Sequence, residues 1–185
     1  MRVERLLHEF GVDFDVCAFD LKPGIPPEGL PRQQVYAGRT YPSGYLDNMR
    51  QMAADSGIEM KRPPLIPNTR KPHEATEFAR DNGRLLEFHC AVFKAYWADE
   101  ENIGDPAVLC RIAADCGMNG GALEAALGDG RYAGRIEEQM AWSRDVGITG
   151  VPTVIFDGRI AVVGAQDYET FRDVARRVFE SRSQA

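Results

Sequence analysis

Apolar positions change their spacing repeatedly along this 185-residue chain, and each change predicts an element. Val3, Leu6, Leu7 and Phe10 recur at helical intervals, and Gly11 follows as a stop signal. Val12, Phe14 and Val16 then alternate with Asp13, Asp15 and Cys17, the period of two expected of a half-buried strand. LKPGIPPEG (21–29) reads as an irregular connector, since it is dense in proline and glycine. No convincing strand pattern falls between 32 and 144. Helices are predicted instead over 45–56, closed by Gly57, and over 74–82, closed by Gly83. Between them Pro63, Pro64 and Pro67 break the chain, and Asn68 or Thr69 can cap the second of these helices. From about 84, Leu85, Phe88, His89, Val92, Phe93, Tyr96 and Trp97 form one wide apolar face. Asp105-Pro106 is a cap followed by proline at the first helical position, with Val108, Leu109, Ile112, Ala113 and Cys116 turned inward until Gly117. A short helix near 122–127 and a longer one over 132–146 complete a helical block.

The last forty residues read differently. A strand over 152–156, a two-residue turn at Asp157-Gly158 and a return strand over 159–163 spell a hairpin. Asp167 then caps a final helix with Phe171, Val174, Ala175, Val178 and Phe179 inward. Val151-Pro152 is the odd feature, because proline cannot donate to a strand ladder and rarely opens a buried strand without a reason.

Composition narrows the function classes. Twenty-two basic against twenty-eight acidic residues leave a net charge of −6, which argues against a nucleic-acid or anionic-membrane surface. Apolar runs are too short for a membrane span, and residues 1–7 interleave charges without the apolar core of a signal peptide, so a cytoplasmic protein is expected. Cys17, Cys90, Cys110 and Cys116 include no CxxC pair and are expected to be reduced, mostly buried thiols. His89 is expected in the core with a hydrogen bond, and His8 and His73 on the surface. Asp13 and Asp15 share the solvated side of a strand, and Asn119-Gly120-Gly121 reads as a helix-to-helix turn rather than a phosphate loop. No metal-ligand spacing is present, and no cofactor is expected.

GVPTVIFDGRIAVVGAQDYETF (150–171) resembles the DsbA-like thioredoxin-fold oxidoreductases, in particular their FrnE-type branch. The resemblance continues through NTRKPHEATEFARDNGRLLEFHCAVFKAYWADEENIGDPAVLCRIAADCGMN (68–119), similar to that branch's helical insertion, and through FDLKPGIPPEG (19–29). It implies an α/β thioredoxin-like fold: a thioredoxin-like domain from 1–27 and 146–185, and an all-helical insertion from 28–145. It also implies a cis Pro152 whose loop, Thr149, Gly150, Val151 and Pro152, binds substrate through the outward backbone of Val151. The implied partner is a thiol or disulfide peptide, or a small thiol such as glutathione.

The family's CxxC sits between its first strand and first helix, where the helix N-terminus acidifies the leading thiol. Residues 1–8 match the later part of that helix, so the dithiol and the central first strand would lie upstream of Met1. Three explanations stand side by side: a shortened reading of a longer catalytic protein, a gap filled by a second chain or a displaced segment, or a direct pairing of the second strand with the hairpin. For this chain strand exchange or homodimerisation is the natural remedy. No catalytic residue is identified; Cys17 is the one thiol to weigh, on a strand and without a CxxC partner. A sister branch, the kappa-class glutathione transferases and 2-hydroxychromene-2-carboxylate isomerases, uses a serine at the first CxxC cysteine, and that position has no counterpart here either. A third reading is a thioredoxin-like peptide-binding module without chemistry.

Overall fold

The computed structural model describes residues 2–55 and 57–183. The side chains of 2–4 and 183 lie outside that description, and with them the inward place expected of Val3. In chain order the elements are α1 (Arg2–Phe10), β1 (Leu30–Pro31), α2 (Arg32–Val35), α3 (Tyr45–Ala54), β2 (Leu65–Ile66), α4 (Arg70–Asp81), α5 (Leu85–Trp97), α6 (Pro106–Asp115), α7 (Gly120–Asp129), α8 (Ala133–Asp145), β3 (Thr153–Phe156), β4 (Ile160–Val163) and α9 (Tyr168–Ser183). They fall into two compact units, Lys22–Glu138 and the pair Met1–Leu21 with Gln139–Ala185.

In Lys22–Glu138, α4 to α7 enclose a core around Phe78, Phe88, Leu109, Ile112 and Leu123, of which Phe88, Leu109 and Leu123 are wholly buried. The helices begin where side chains can satisfy their free N–H groups. Asp105 Oδ1 accepts from the Ala107 N–H at 2.9 Å, and Asn119 Oδ1 accepts from the Ala122 N–H at 3.0 Å. Asn119-Gly120-Gly121 is therefore a cap and the first turn of α7, not a linker between helices. Gly120 allows α7 to approach α6 closely, since a Cβ there would lie 2.8 Å from the Cys110 carbonyl oxygen. α4 starts four residues earlier than its apolar pattern does. Asn68 Oδ1 holds the Arg70 N–H at 2.9 Å, and the polar first turn is tied down by ion pairs from Arg70 and Lys71 to the buried Glu74.

Two expectations for this unit are corrected. Leu30–Pro31 and Leu65–Ile66 form a short antiparallel ladder, with Ile66 falling in a stretch that showed no strand pattern. Two residues per strand are too few to leave a period in the sequence. The ladder depends on Gly29, at φ 79°, where a Cβ would meet the Ile66 carbonyl oxygen at 2.8 Å. On α5 only Phe88, Val92 and Ala95 are buried; Phe93, at the edge of the expected face, is 53% exposed and lies against the His89 ring at 4.7 Å. The apolar sector of α5 is wider than its neighbours cover. α3 buries no residue at all.

In the other unit, α1 and α9 pack on the β3–β4 hairpin around Leu6, Val162, Tyr168, Phe171 and Ala175. Tyr168 donates to Glu9, and the Arg5 guanidinium lies 3.7 Å over the Tyr168 ring. Asp167 caps α9 as expected, accepting from the Thr170 N–H at 2.8 Å. Phe179 stacks on Phe10 at 5.6 Å but stays 40% exposed, so its inward place is only partial. The hairpin register pairs Thr153 with Val163 and Phe156 with Ile160. The two-residue turn at Asp157-Gly158 is as expected, since both take positive φ and the Arg159 N–H closes it on the Phe156 carbonyl at 3.0 Å, while β4 begins at Ile160, one residue later than expected.

The strand expected over 12–17 is not formed, although its alternation is real. Val12, Phe14 and Val16 are half-buried, while Asp13, Asp15 and Cys17 are exposed. Alternating polarity selects a face, but a strand also needs a neighbouring ladder, and β3–β4 is the one ladder of this unit among the described residues. The chain beyond is held by side chains of α8 instead: the Ala18 N–H donates to Gln139 Oε1 at 2.7 Å and the Asp20 N–H to Met140 Sδ at 3.3 Å.

Candidate functional site

The loop 147–152 is anchored before it becomes exposed. α8 ends in a left-handed Gly147 (φ 74°), whose N–H donates to the Arg144 carbonyl at 3.0 Å, while the Ile148 N–H reaches the Ser143 carbonyl at 2.8 Å. Thr149 and Pro152 are exposed, Gly150 is half-buried, and Val151 is 49% exposed. The Val151–Pro152 peptide is cis. The carbonyls on either side of Val151 are both taken: Gly150 O accepts from Thr153 Oγ1 at 2.8 Å, and Pro152 O from the Gly164 N–H at 2.8 Å. Val151 itself differs. Among the described residues neither its N–H nor its C=O makes a hydrogen bond.

That residue opens onto an unfinished sheet. β3 pairs with β4 on one side, and its other side carries no ladder among the described residues. Exposed apolar side chains flank the loop along the chain: Trp142 and Val146, one turn apart at the end of α8, and Val163 at the end of β4, 62% exposed. An extended chain laid beside β3 would therefore meet free main-chain groups and apolar surface together.

The thiols are less promising than the loop. Cys17 is exposed, Cys90 and Cys110 are half-buried, and only Cys116 is buried, so the expectation of mostly buried cysteines is corrected. Burial pushes the thiol pKa values of Cys110 and Cys116 up, with the nearby carboxylates of Glu124 and Asp105, and of Glu87 and Asp115, adding to it. Such thiols hold little thiolate near neutral pH and attack disulfides slowly.

His8 is exposed as expected, whereas His73 is half-buried between the buried Pro72 and Glu74. His89 is half-buried with its pKa lowered by desolvation, and its ring lies tilted at 41° against Phe93; the hydrogen bond expected of it is not made among the described residues. Among those residues no three His, Cys, Asp or Glu side chains come together as a metal site. Sequence reasoning found the loop but missed the two clips that isolate Val151. The Thr153 clip had a readable signal, a hydroxyl three residues beyond Gly150; the Gly164 clip needed the hairpin register.

Comparison with known proteins returns one consistent group. The family model of the DSBA-like thioredoxin domain matches residues 1–175. The uncharacterized protein YwbO of Bacillus subtilis (strain 168) is 26% identical over 166 residues, 86% of this chain and 79% of that protein. The crystal structure of a probable DsbA oxidoreductase from Streptomyces coelicolor superposes with a TM-score of 0.87 at 26% identity, covering 97% of this chain and 82% of that one. A 2-hydroxychromene-2-carboxylate isomerase follows with a TM-score of 0.72 at 19% identity, over 99% of this chain and 89% of its own. At that identity the likeness is one of fold alone.

Proposed function

The chain belongs to the DSBA-like thioredoxin-domain family, and from that we propose that it binds thiol- or disulfide-bearing peptides in extended form at Thr149, Gly150, Val151 and Pro152. Its fold is the α/β thioredoxin-like fold of that family with helices inserted. We assign peptide binding to the thioredoxin-like part, 1–27 and 146–185, with the helical insertion 28–145 beside it in sequence. The observation that carries the reading is Val151, half exposed two residues before β3, with both main-chain groups unbonded among the described residues. Each hydrogen bond a peptide made there would contribute about 0.5–1.5 kcal/mol, and apolar peptide side chains could cover Trp142 and Val146.

Disulfide exchange needs a reactive thiolate and a resolving thiol. This chain has no CxxC, and burial raises the Cys110 and Cys116 pKa values. It is therefore expected to bind peptide without turning it over. A fluorescent insulin B chain with its thiols free should bind saturably to the full protein, while insulin reduction by dithiothreitol should run at the same rate with and without it. Absence of binding would remove the peptide site; an accelerated reduction would show that a thiol of this chain, Cys17 first, is catalytic. Glutathione is the competing ligand, and heat released on titrating it at millimolar concentration would favour it over peptide. No helix among the described residues is long and apolar enough to cross a membrane.

The same strand edge supports pairing between two copies, since an open edge is a template for another chain. Light scattering should show dimers as concentration rises, and saturating peptide should return them to monomers. Dimers that ignore the peptide would mean association elsewhere.

A further inference from the structure

The net charge of the chain is −6, yet three cations converge on one ring in Lys22–Glu138. Lys22 Nζ lies 5.1 Å from the Tyr36 centroid, and the guanidinium carbons of Arg32 and Arg39 lie 5.7 Å from it. Attraction to an aromatic ring is worth about 0.5–1 kcal/mol per cation at an exposed site, less than a charge-assisted bond to an anion contributes. Among the described residues neither Arg32 nor Arg39 forms an ion pair with a carboxylate. Most other arginines of this unit are matched: Arg50, Arg70, Arg80, Arg84, Arg111, Arg131 and Arg135 each pair with an acid, and Arg62 alone joins Arg32 and Arg39 in having no such pair among the described residues.

Arg32 is also held still. Its main-chain N–H donates to the Pro64 carbonyl at 2.6 Å, its Nε to the Pro63 carbonyl at 2.5 Å and its Nη2 to the Tyr96 hydroxyl at 3.0 Å. Tyr96 donates in turn to the Leu65 carbonyl at 3.3 Å, and the Arg32 guanidinium lies 6.0 Å over the Trp97 ring. All of these partners are neutral, so they fix the guanidinium without cancelling its charge. Nη1 makes no hydrogen bond among the described residues.

We propose that Lys22, Arg32 and Arg39 around Tyr36 form a binding site for a multivalent oxyanion, a small molecule carrying a phosphate or several carboxylates. The fixed Arg32 presents Nη1, the more exposed Arg39 closes on the anion, and Lys22 adds a point charge. Binding would supply the anion that Arg32 and Arg39 lack among the described residues. The anion site shares neither residues nor ligand with the peptide-binding loop, so either can fail without the other.

Calorimetric titration of the full chain with inorganic pyrophosphate, citrate and acetate tests it and separates phosphate from carboxylate sources. Pyrophosphate or citrate should bind saturably at millimolar concentration or below, with acetate showing no saturation. Arg39→Ala should weaken that binding about ten-fold, as loss of one charge-assisted contact does, and Arg39→Lys should restore much of it. Arg177→Ala, which removes an exposed charge in the other unit, should leave binding unchanged. Arg32 fastens the local fold, so it is followed by the NMR shift of its Nε–H during the titration rather than by substitution. Failure of both multivalent anions to bind would overturn the proposal. So would equal losses in the Arg39→Ala and Arg177→Ala variants, or an Arg32 resonance that stays fixed while heat is released.

Discussion

Phe88→Ala is expected to lower the unfolding free energy of Lys22–Glu138 by about 3–5 kcal/mol, read from the urea midpoint. The ring is wholly buried in the cluster formed by α4 to α7, beside Leu109 and Leu123, which are also without exposure. Truncation removes the transfer free energy of the ring and leaves a cavity that four packed helices cannot easily close. Phe93→Ala, one residue beyond the next turn of the same helix, is the internal control. Phe93 is 53% exposed, with its ring against that of His89, so its loss should fall within about 0.5 kcal/mol. Equal losses at the two positions would show that the face of α5 turned to the core is not the one described.

Replacing both Arg70 and Lys71 by alanine is expected to cost about 3–5 kcal/mol at neutral pH. Glu74 is 2% exposed, and the two cations meet it at 3.3 Å and 3.2 Å. Their other contacts close the unit: Arg70 Nη2 donates to the Ala133 carbonyl at 3.0 Å and Lys71 Nζ to the Leu127 carbonyl at 2.6 Å. Removing the cations leaves a buried carboxylate without compensating charge, and desolvation then works against the fold. Adding Glu74→Gln to the double variant should recover part of the loss, because the remaining group is neutral. A triple variant no more stable than the double would place the cost in the two lost carbonyl contacts instead.

Periodicity and caps were readable along most of the chain. Phe88 with Val92, and Leu109 with Ile112, recur at helical spacing, and Asp105 and Asp167 sit where orphan N–H groups need an acceptor. These are local matters, settled by which side chains lie three or four residues apart. Proline chemistry was equally local, and it pointed to Val151-Pro152 as the place to look. The two-residue ladder of Leu30–Pro31 with Leu65–Ile66 was out of reach, because two residues cannot display a period.

The segment 12–17 marks the boundary between the two kinds of information. Its residues choose which side faces inward, and the burial of Val12, Phe14 and Val16 agrees with that choice. Whether a strand forms depends on a partner at ladder distance, which no property of VDFDV can supply. Val151 makes the same point from the other direction. Its isolation comes from Thr153 and from Gly164, twelve residues beyond Pro152 in sequence but brought to 2.8 Å by the hairpin register. The convergence of Lys22, Arg32 and Arg39 on Tyr36 is likewise spatial, since Arg32 is aimed by Pro63 and Tyr96, residues remote in sequence. Side-chain order sets helices, caps and faces through neighbours a few bonds away. Hydrogen-bond partners, open edges and charge clusters are set by distances between parts of the chain that meet only when it folds.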